Sequence, residues 1–188
     1  MARVDIPDEK AEEPTAFVYG HYAPKITAAS SHYSFTVYQE TKLPFRVVEA
    51  ARIRTAQING CRTCQTWRSS RDLPAVFARE QGELSRSFVG RAESVPDDAF
   101  YNGIAEWRTS SLFSESERVA IEYAERMGEA PHSFAGDEVF WRRVHAQFTD
   151  EEIVDLTFSI GSWIAAGRAL HILEIDPEVC VLAPSRAA

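Results

Sequence analysis

Asn59-Gly60-Cys61-Arg62-Thr63-Cys64 is the stretch on which the reading of this chain turns. Asn-Gly is a helix-stop pair, and the run that follows, 65–72, reads as helix again. Cysteines at i and i+3 in the first turn of a helix share one face, and the exposed N–H groups and dipole of that turn favour thiolate over thiol. The stretch therefore predicts two successive helices with a reactive dithiol at the mouth of the second. On that second helix the same face continues at i+7 to Arg68, which sets a fixed cation one turn below Cys64. On the helix before it, Glu49, Ile53 and Ala56 share a stripe, placing a carboxylate among apolar neighbours. Burial there would raise its pKa and make it a proton carrier. The alternative for Glu49 is an ion pair with Arg46 or Arg52, three residues away on either side.

Outward from this centre, apolar residues recur at helical spacing. Ile153, Leu156, Ile160, Trp163, Ile164, Gly167 and Leu170 fall on one stripe, as do Val119, Tyr123 and Met127, and no period-two run stands out. Ser114 with Glu117 and Thr149 with Glu152 form capping boxes that open two helices. Pro44 suits a first helical turn, Gly82 and Gly128 suit exits, and Pro96-Asp97-Asp98 and Gly136-Asp137 suit entries. The expectation is an all-α bundle of about seven helices, near 26–41, 44–58, 61–80, 97–108, 115–127, 137–147 and 150–174. Residues 1–25 read as a polar, proline-punctuated arm over the body or a neighbouring subunit, 26–175 as one helical domain with its core motif at 44–80, and 176–188 as a tail. That tail holds a run, Val179-Cys180-Val181-Leu182, that suits extended chain.

Composition narrows the function. With 188 residues, 45% apolar and 11% aromatic, the chain can bury one sizeable core. The net charge of −8 is spread along the chain and argues against a nucleic-acid partner. Residues 1–10 show no secretory signal, and the apolar segment 156–167 is too short to cross a bilayer. A soluble cytoplasmic protein is expected, a compartment in which a CxxC is a redox centre or half of a metal site. One CxxC cannot complete a four-ligand shell; Cys180 is distant and no His-x₃₋₅-His occurs, so neither a metal nor a cofactor is expected. A thioredoxin-like domain is an equally poor fit, since that motif belongs beside a βαβ unit and the chain shows no strand pattern.

The segment from Pro44 through Glu49, Arg52-Ile53-Arg54, Ala56-Gln57 and Asn59-Gly60-Cys61 to Cys64 resembles the carboxymuconolactone decarboxylase superfamily, in its alkylhydroperoxidase D-like branch. That signature is a glutamate twelve positions before a CxxC and a histidine four after the second cysteine. Trp107-Arg108-Thr109-Ser110-Ser111-Leu112-Phe113-Ser114 leading to Glu117-Arg118, and Phe148-Thr149-Asp150-Glu151-Glu152-Ile153-Val154-Asp155-Leu156, are similar to later phrases of the family, so the resemblance covers roughly 40–175. It implies an all-helical fold assembling into trimers or hexamers, and a dithiol that reduces hydroperoxides. In that scheme Cys64 attacks the peroxide and becomes a sulfenic acid, Cys61 condenses with it to a disulfide, and Glu49 with a histidine relays protons. A dithiol reductant or a lipoyl-bearing protein restores the thiols.

Arg68 stands where that histidine would be. Arginine keeps its proton, so it cannot serve as general base; it can stabilise a thiolate or hold a substrate carboxylate. General acid–base help contributes about 10²–10⁴-fold, so turnover below that of a histidine-bearing relative is expected. Among His32, His145 and His171, His32 is the preferred substitute, because the arm and first helix are freest to close over the dithiol. Trp67, Tyr33, Phe35, Tyr38 and Phe45 lie near the centre in sequence and would build either an apolar pocket above the thiols or ordinary core.

Two other classes compete with a peroxidase: a redox sensor or electron-accepting partner module, and a decarboxylase-like enzyme acting on an acidic small molecule, which would not need both cysteines. The final helix, apolar over more than one face with Gly161 and Gly167, predicts a homo-oligomer.

Overall fold

A computed structural model describes residues 2–175. Among the described residues every regular element is helical. The described residues form nine α-helices rather than about seven: α1 Pro14–Tyr22, α2 Pro24–Glu40, α3 Phe45–Asn59, α4 Arg62–Thr66, α5 Ser69–Arg79, α6 Asp98–Gly103, α7 Glu115–Glu129, α8 Glu138–Gln147 and α9 Asp150–Leu173. One extra helix comes from the arm. Pro24 removes the helical option for the residue before it, and Ala23 (φ −140°, ψ 53°) separates α1 from α2. The arm lies over the body of its own chain: Arg3 N–H donates to Leu173 O at 2.9 Å, the Arg3 guanidinium pairs with Glu174, and Thr15 Oγ1 donates to Ile175 O at 2.9 Å. The run expected to be extended at 179–182 lies outside the described residues.

α3 is the central element, packed against α7 and α9. Its Val47, Val48 and Ala51 belong to the larger apolar core with Tyr123, Leu156 and Ile160. Ala50 and Ile53, on another side of the helix, join Phe100, Ile104, Trp107, Phe113 and Ile121 in a second core. A helix buried on both sides has little freedom to move, which makes it a rigid base for Glu49 and Arg52. Both capping boxes form as expected at Ser114/Glu117 and Thr149/Glu152. Gly128 is not a helix exit: α7 continues through it to Glu129, and the missing side chain makes room for Ile58, 3.1 Å from where a Cβ would stand. Among the described residues no helix is long and apolar enough to cross a membrane.

Candidate active site

α3 ends at Gly60, whose left-handed backbone (φ 68°) turns the chain sharply into Cys61. That turn is clamped from α9. Asn59 Nδ2 donates to Trp163 O at 2.9 Å, Arg168 Nε donates to Asn59 Oδ1 at 3.1 Å, and the His171 ring lies against Gly60. Gly167 allows the approach, since a Cβ there would sit 2.6 Å from Asn59 Nδ2.

Cys61 is the N-cap of α4, and its Sγ accepts the Cys64 N–H at 3.2 Å. The two cysteines are joined in a disulfide with Cα atoms 5.3 Å apart, inside the usual range. Their environments differ. Cys61 is fully buried, whereas Cys64 is partly accessible and lines a cavity of about 260 Å³ with Tyr38, Ala56, Trp67, Trp163 and Leu170.

The expected continuous helix 61–80 does not form. It breaks at Trp67 (ψ 137°) and Arg68 (φ −129°, ψ 112°), so Arg68 is not carried on the face of Cys61 and Cys64 by a shared helix. The cause is arginine capping. Arg52 Nη1 donates to Cys64 O at 2.9 Å, Arg68 Nη1 to Gln65 O at 2.7 Å, Arg71 Nη2 to Thr66 O at 2.9 Å and Arg52 Nη2 to Trp67 O at 2.9 Å. These four carbonyls are the acceptors a continuing helix would have given to 68–71. The next helix is opened by Asp72, whose carboxylate accepts the Arg68 N–H at 2.8 Å. Arg68 itself lies over the Tyr101 ring at 4.0 Å, a cation–π contact.

Glu49 is fully buried, and its partner is Arg52, whose Nε and Nη2 donate to Oε1 and Oε2 at 2.6 and 2.9 Å. Ser69 Oγ adds a bond to Oε1 at 2.7 Å and the Tyr101 hydroxyl one to Oε2 at 2.6 Å. The expected upward pKa shift is corrected. Burial does push Glu49 up, but the charge of Arg52 and the bonds from Arg52, Tyr101 and Ser69 outweigh it, and the net shift is downward. Burial, reinforced by the same carboxylate, holds the Tyr101 hydroxyl well above the usual phenol range. Glu49 is thus a fixed anion enclosed by four donors.

His32 is exposed on α2 and borders an outer groove of about 370 Å³, not the Cys64 cavity; the two share Ser34, Tyr38 and Ala166. His145 Nδ1 lies 3.6 Å from Asp150 on the surface. No histidine lines the Cys64 cavity. The nearby aromatics divide between roles. Trp67 and Tyr38 line the cavity, Phe35 and Phe45 pack in the core, and the Tyr33 hydroxyl bonds Phe158 O at 2.6 Å. Sequence reasoning missed Ser69 and Tyr101 as the partners of Glu49, and Trp163 and Leu170 as cavity walls. Only the stripe of α9 hinted at the last two. Among the described residues no group of three or more His, Cys, Asp or Glu side chains is placed to hold a metal ion.

No protein-family model matches the chain. It is 40% identical over 75 residues to the uncharacterized protein YnjA of Escherichia coli (strain K12), a match spanning 40% of each chain. It is 26% identical over 118 residues to the uncharacterized protein YdfG of Bacillus subtilis (strain 168), spanning 61% of this chain and 67% of that one. The crystal structure of a "Protein of Unknown Function ATU0492 from Agrobacterium tumefaciens, Putative Antioxidant Defence Protein AhpD" superposes with a TM-score of 0.61 at 23% identity, covering 83% of this chain and 92% of that one. The all-helical fold built around α3 and the Cys61–Cys64 pair is therefore an AhpD-like fold.

Proposed function

We propose that the protein is a thiol-dependent hydroperoxide reductase whose Cys61–Cys64 pair cycles between dithiol and disulfide. The observation that carries this reading is the asymmetry of the pair: Cys64 opens on a largely apolar cavity while Cys61 is sealed behind it within bonding reach. The Cys64 thiolate attacks the terminal peroxide oxygen, the S–O bond forms as the O–O bond breaks, and an alkoxide leaves to be protonated. Cys61 then displaces hydroxide from the Cys64 sulfenic acid, giving the disulfide and water. Each peroxide takes two electrons from the sulfurs, and a dithiol or lipoyl-bearing protein returns them by exchange. Small organic hydroperoxides suit an apolar cavity of this size better than hydrogen peroxide.

Glu49, fixed by Arg52, serves in this scheme as a structural anion that holds the dithiol loop through Arg52 rather than as a proton carrier. That favours slow turnover, and with it a second reading in which the pair acts as a redox sensor. The apolar side chains exposed on α9, Val154, Phe158 and Ile172, are 57, 62 and 66% accessible and support assembly with further copies of the chain. The deciding measurement is rapid mixing of the reduced protein with cumene hydroperoxide while free thiols are counted. Loss of two thiols per chain, abolished by Cys64→Ser, is expected. A decarboxylase would keep its activity in a Cys61→Ser, Cys64→Ser double variant and consume no thiols with peroxide.

A further inference from the structure

We infer that the Tyr38 hydroxyl is the proton donor to the alkoxide that leaves when Cys64 cleaves a hydroperoxide. The inference rests on the reading of Cys64 as the attacking sulfur. That reading lacks a group to protonate the leaving oxygen, because the cavity has no histidine, Glu49 is ionised and enclosed, and Arg68 is held over Tyr101.

Tyr38 lines the same cavity as Cys64. It also lies close enough to Arg52 and Glu49 to feel both charges, and Arg52 holds the Cys64 carbonyl. Burial, opposed by Arg52 and supported by Glu49, pushes the phenol up to about 12, so it is fully protonated at neutral pH. It still remains more acidic than an alkoxide's conjugate acid, so transfer to a leaving alkoxide runs downhill.

The cavity wall is otherwise largely apolar. The Trp67 and Trp163 indole N–H groups are buried and make no normal hydrogen bond, although Trp163 lies near enough to Tyr38 to help hold its pKa down. In the step itself the S–O bond forms, the O–O bond breaks, and the phenolic proton passes to the alkoxide. The resulting phenolate is reprotonated from solvent, which had taken up the proton Cys64 gave up on ionising, so the proton count closes.

The test is single-turnover thiol loss in reduced wild type and Tyr38→Phe, which removes only the hydroxyl. Cumene and tert-butyl hydroperoxides, which leave as alkoxides, are compared with peracetic acid, whose carboxylate needs no proton. We expect Tyr38→Phe to slow both alkyl hydroperoxides by roughly 10²-fold or more while peracetic acid stays within a few-fold. Alkylation of Cys64 by iodoacetamide should be unchanged. In wild type a solvent isotope effect should accompany the alkyl substrates and vanish with peracetic acid. Equal slowing of all three oxidants, or no slowing, overturns the role of Tyr38 while leaving Cys64 as the attacking sulfur. A wild type that loses no thiols to any oxidant overturns both.

Discussion

Arg52 grips Glu49 with two bonds, 2.6 and 2.9 Å, and uses two further N–H groups to hold the carbonyls of Cys64 and Trp67. One guanidinium thus joins the buried anion of α3 to the backbone of the dithiol loop, and both side chains are almost wholly excluded from water. Neither group can be altered without the other and the loop responding.

Arg52→Met should therefore cost about 3–5 kcal/mol, the range for removing one partner of a buried ion pair. It should also loosen 64–68, detected as faster amide exchange there. The Glu49→Gln, Arg52→Met double variant should recover part of the loss, because no uncompensated charge then remains buried. Urea unfolding of wild type, the two single variants and the double variant measures this, and strict additivity would contradict the coupling.

The pH dependence of stability follows from the sign of the Glu49 shift. Its folded pKa lies below the ordinary value of 4.5, so its stabilising contribution is complete above that value and is lost as pH falls through the lower folded pKa. The unfolding free-energy difference between wild type and Glu49→Gln should be constant from neutral pH to about pH 5 and should shrink below about pH 4. A difference independent of pH would mean that Glu49 has the same pKa in the folded and unfolded chain, and one that changes between neutral pH and about pH 5 would mean that its folded pKa is raised rather than lowered.

The burial asymmetry of the pair predicts an order of reactivity. In the reduced protein, iodoacetamide should modify Cys64 before Cys61, read by peptide mass mapping. Cys61→Ser should accumulate a sulfenic acid that dimedone traps, and Cys64→Ser should not. Preferential labelling of Cys61 would reverse the assignment.

Gly60→Ala forces a Cβ into the left-handed region and to within 2.9 Å of the His171 ring. The backbone cost of about 1 kcal/mol adds to the steric one, so about 1–3 kcal/mol in total is expected. Adding His171→Ala should relieve the steric part alone, leaving the backbone part in place. A denaturation cycle over the four proteins separates the two contributions.

Helix starts at Ser114 and Thr149 and the turn at Gly60 were legible in the sequence because each rests on groups within three or four residues: a hydroxyl, an acid, a missing side chain. The all-α fold and the placement of two cysteines around one helical start followed from the same local rules. The choice of partner for Glu49 could not be read that way. Arg46 and Arg52 stand at equal sequence distance, and what separates them is the docking of α7, whose Glu117 takes Arg46 at 2.6 Å and leaves Arg52 to Glu49. The break at Trp67–Arg68 is likewise tertiary. The local sequence 61–72 favours a helix, but guanidinium groups, one of them from α3, take its carbonyls, and the chain turns out toward Ser69 so that this hydroxyl reaches Glu49. Short-range capping and periodicity determined where helices begin and which residues share a face. Only the packing of distant segments decided which charges meet and which sulfur faces the cavity, because desolvated charges must find partners wherever the fold supplies them.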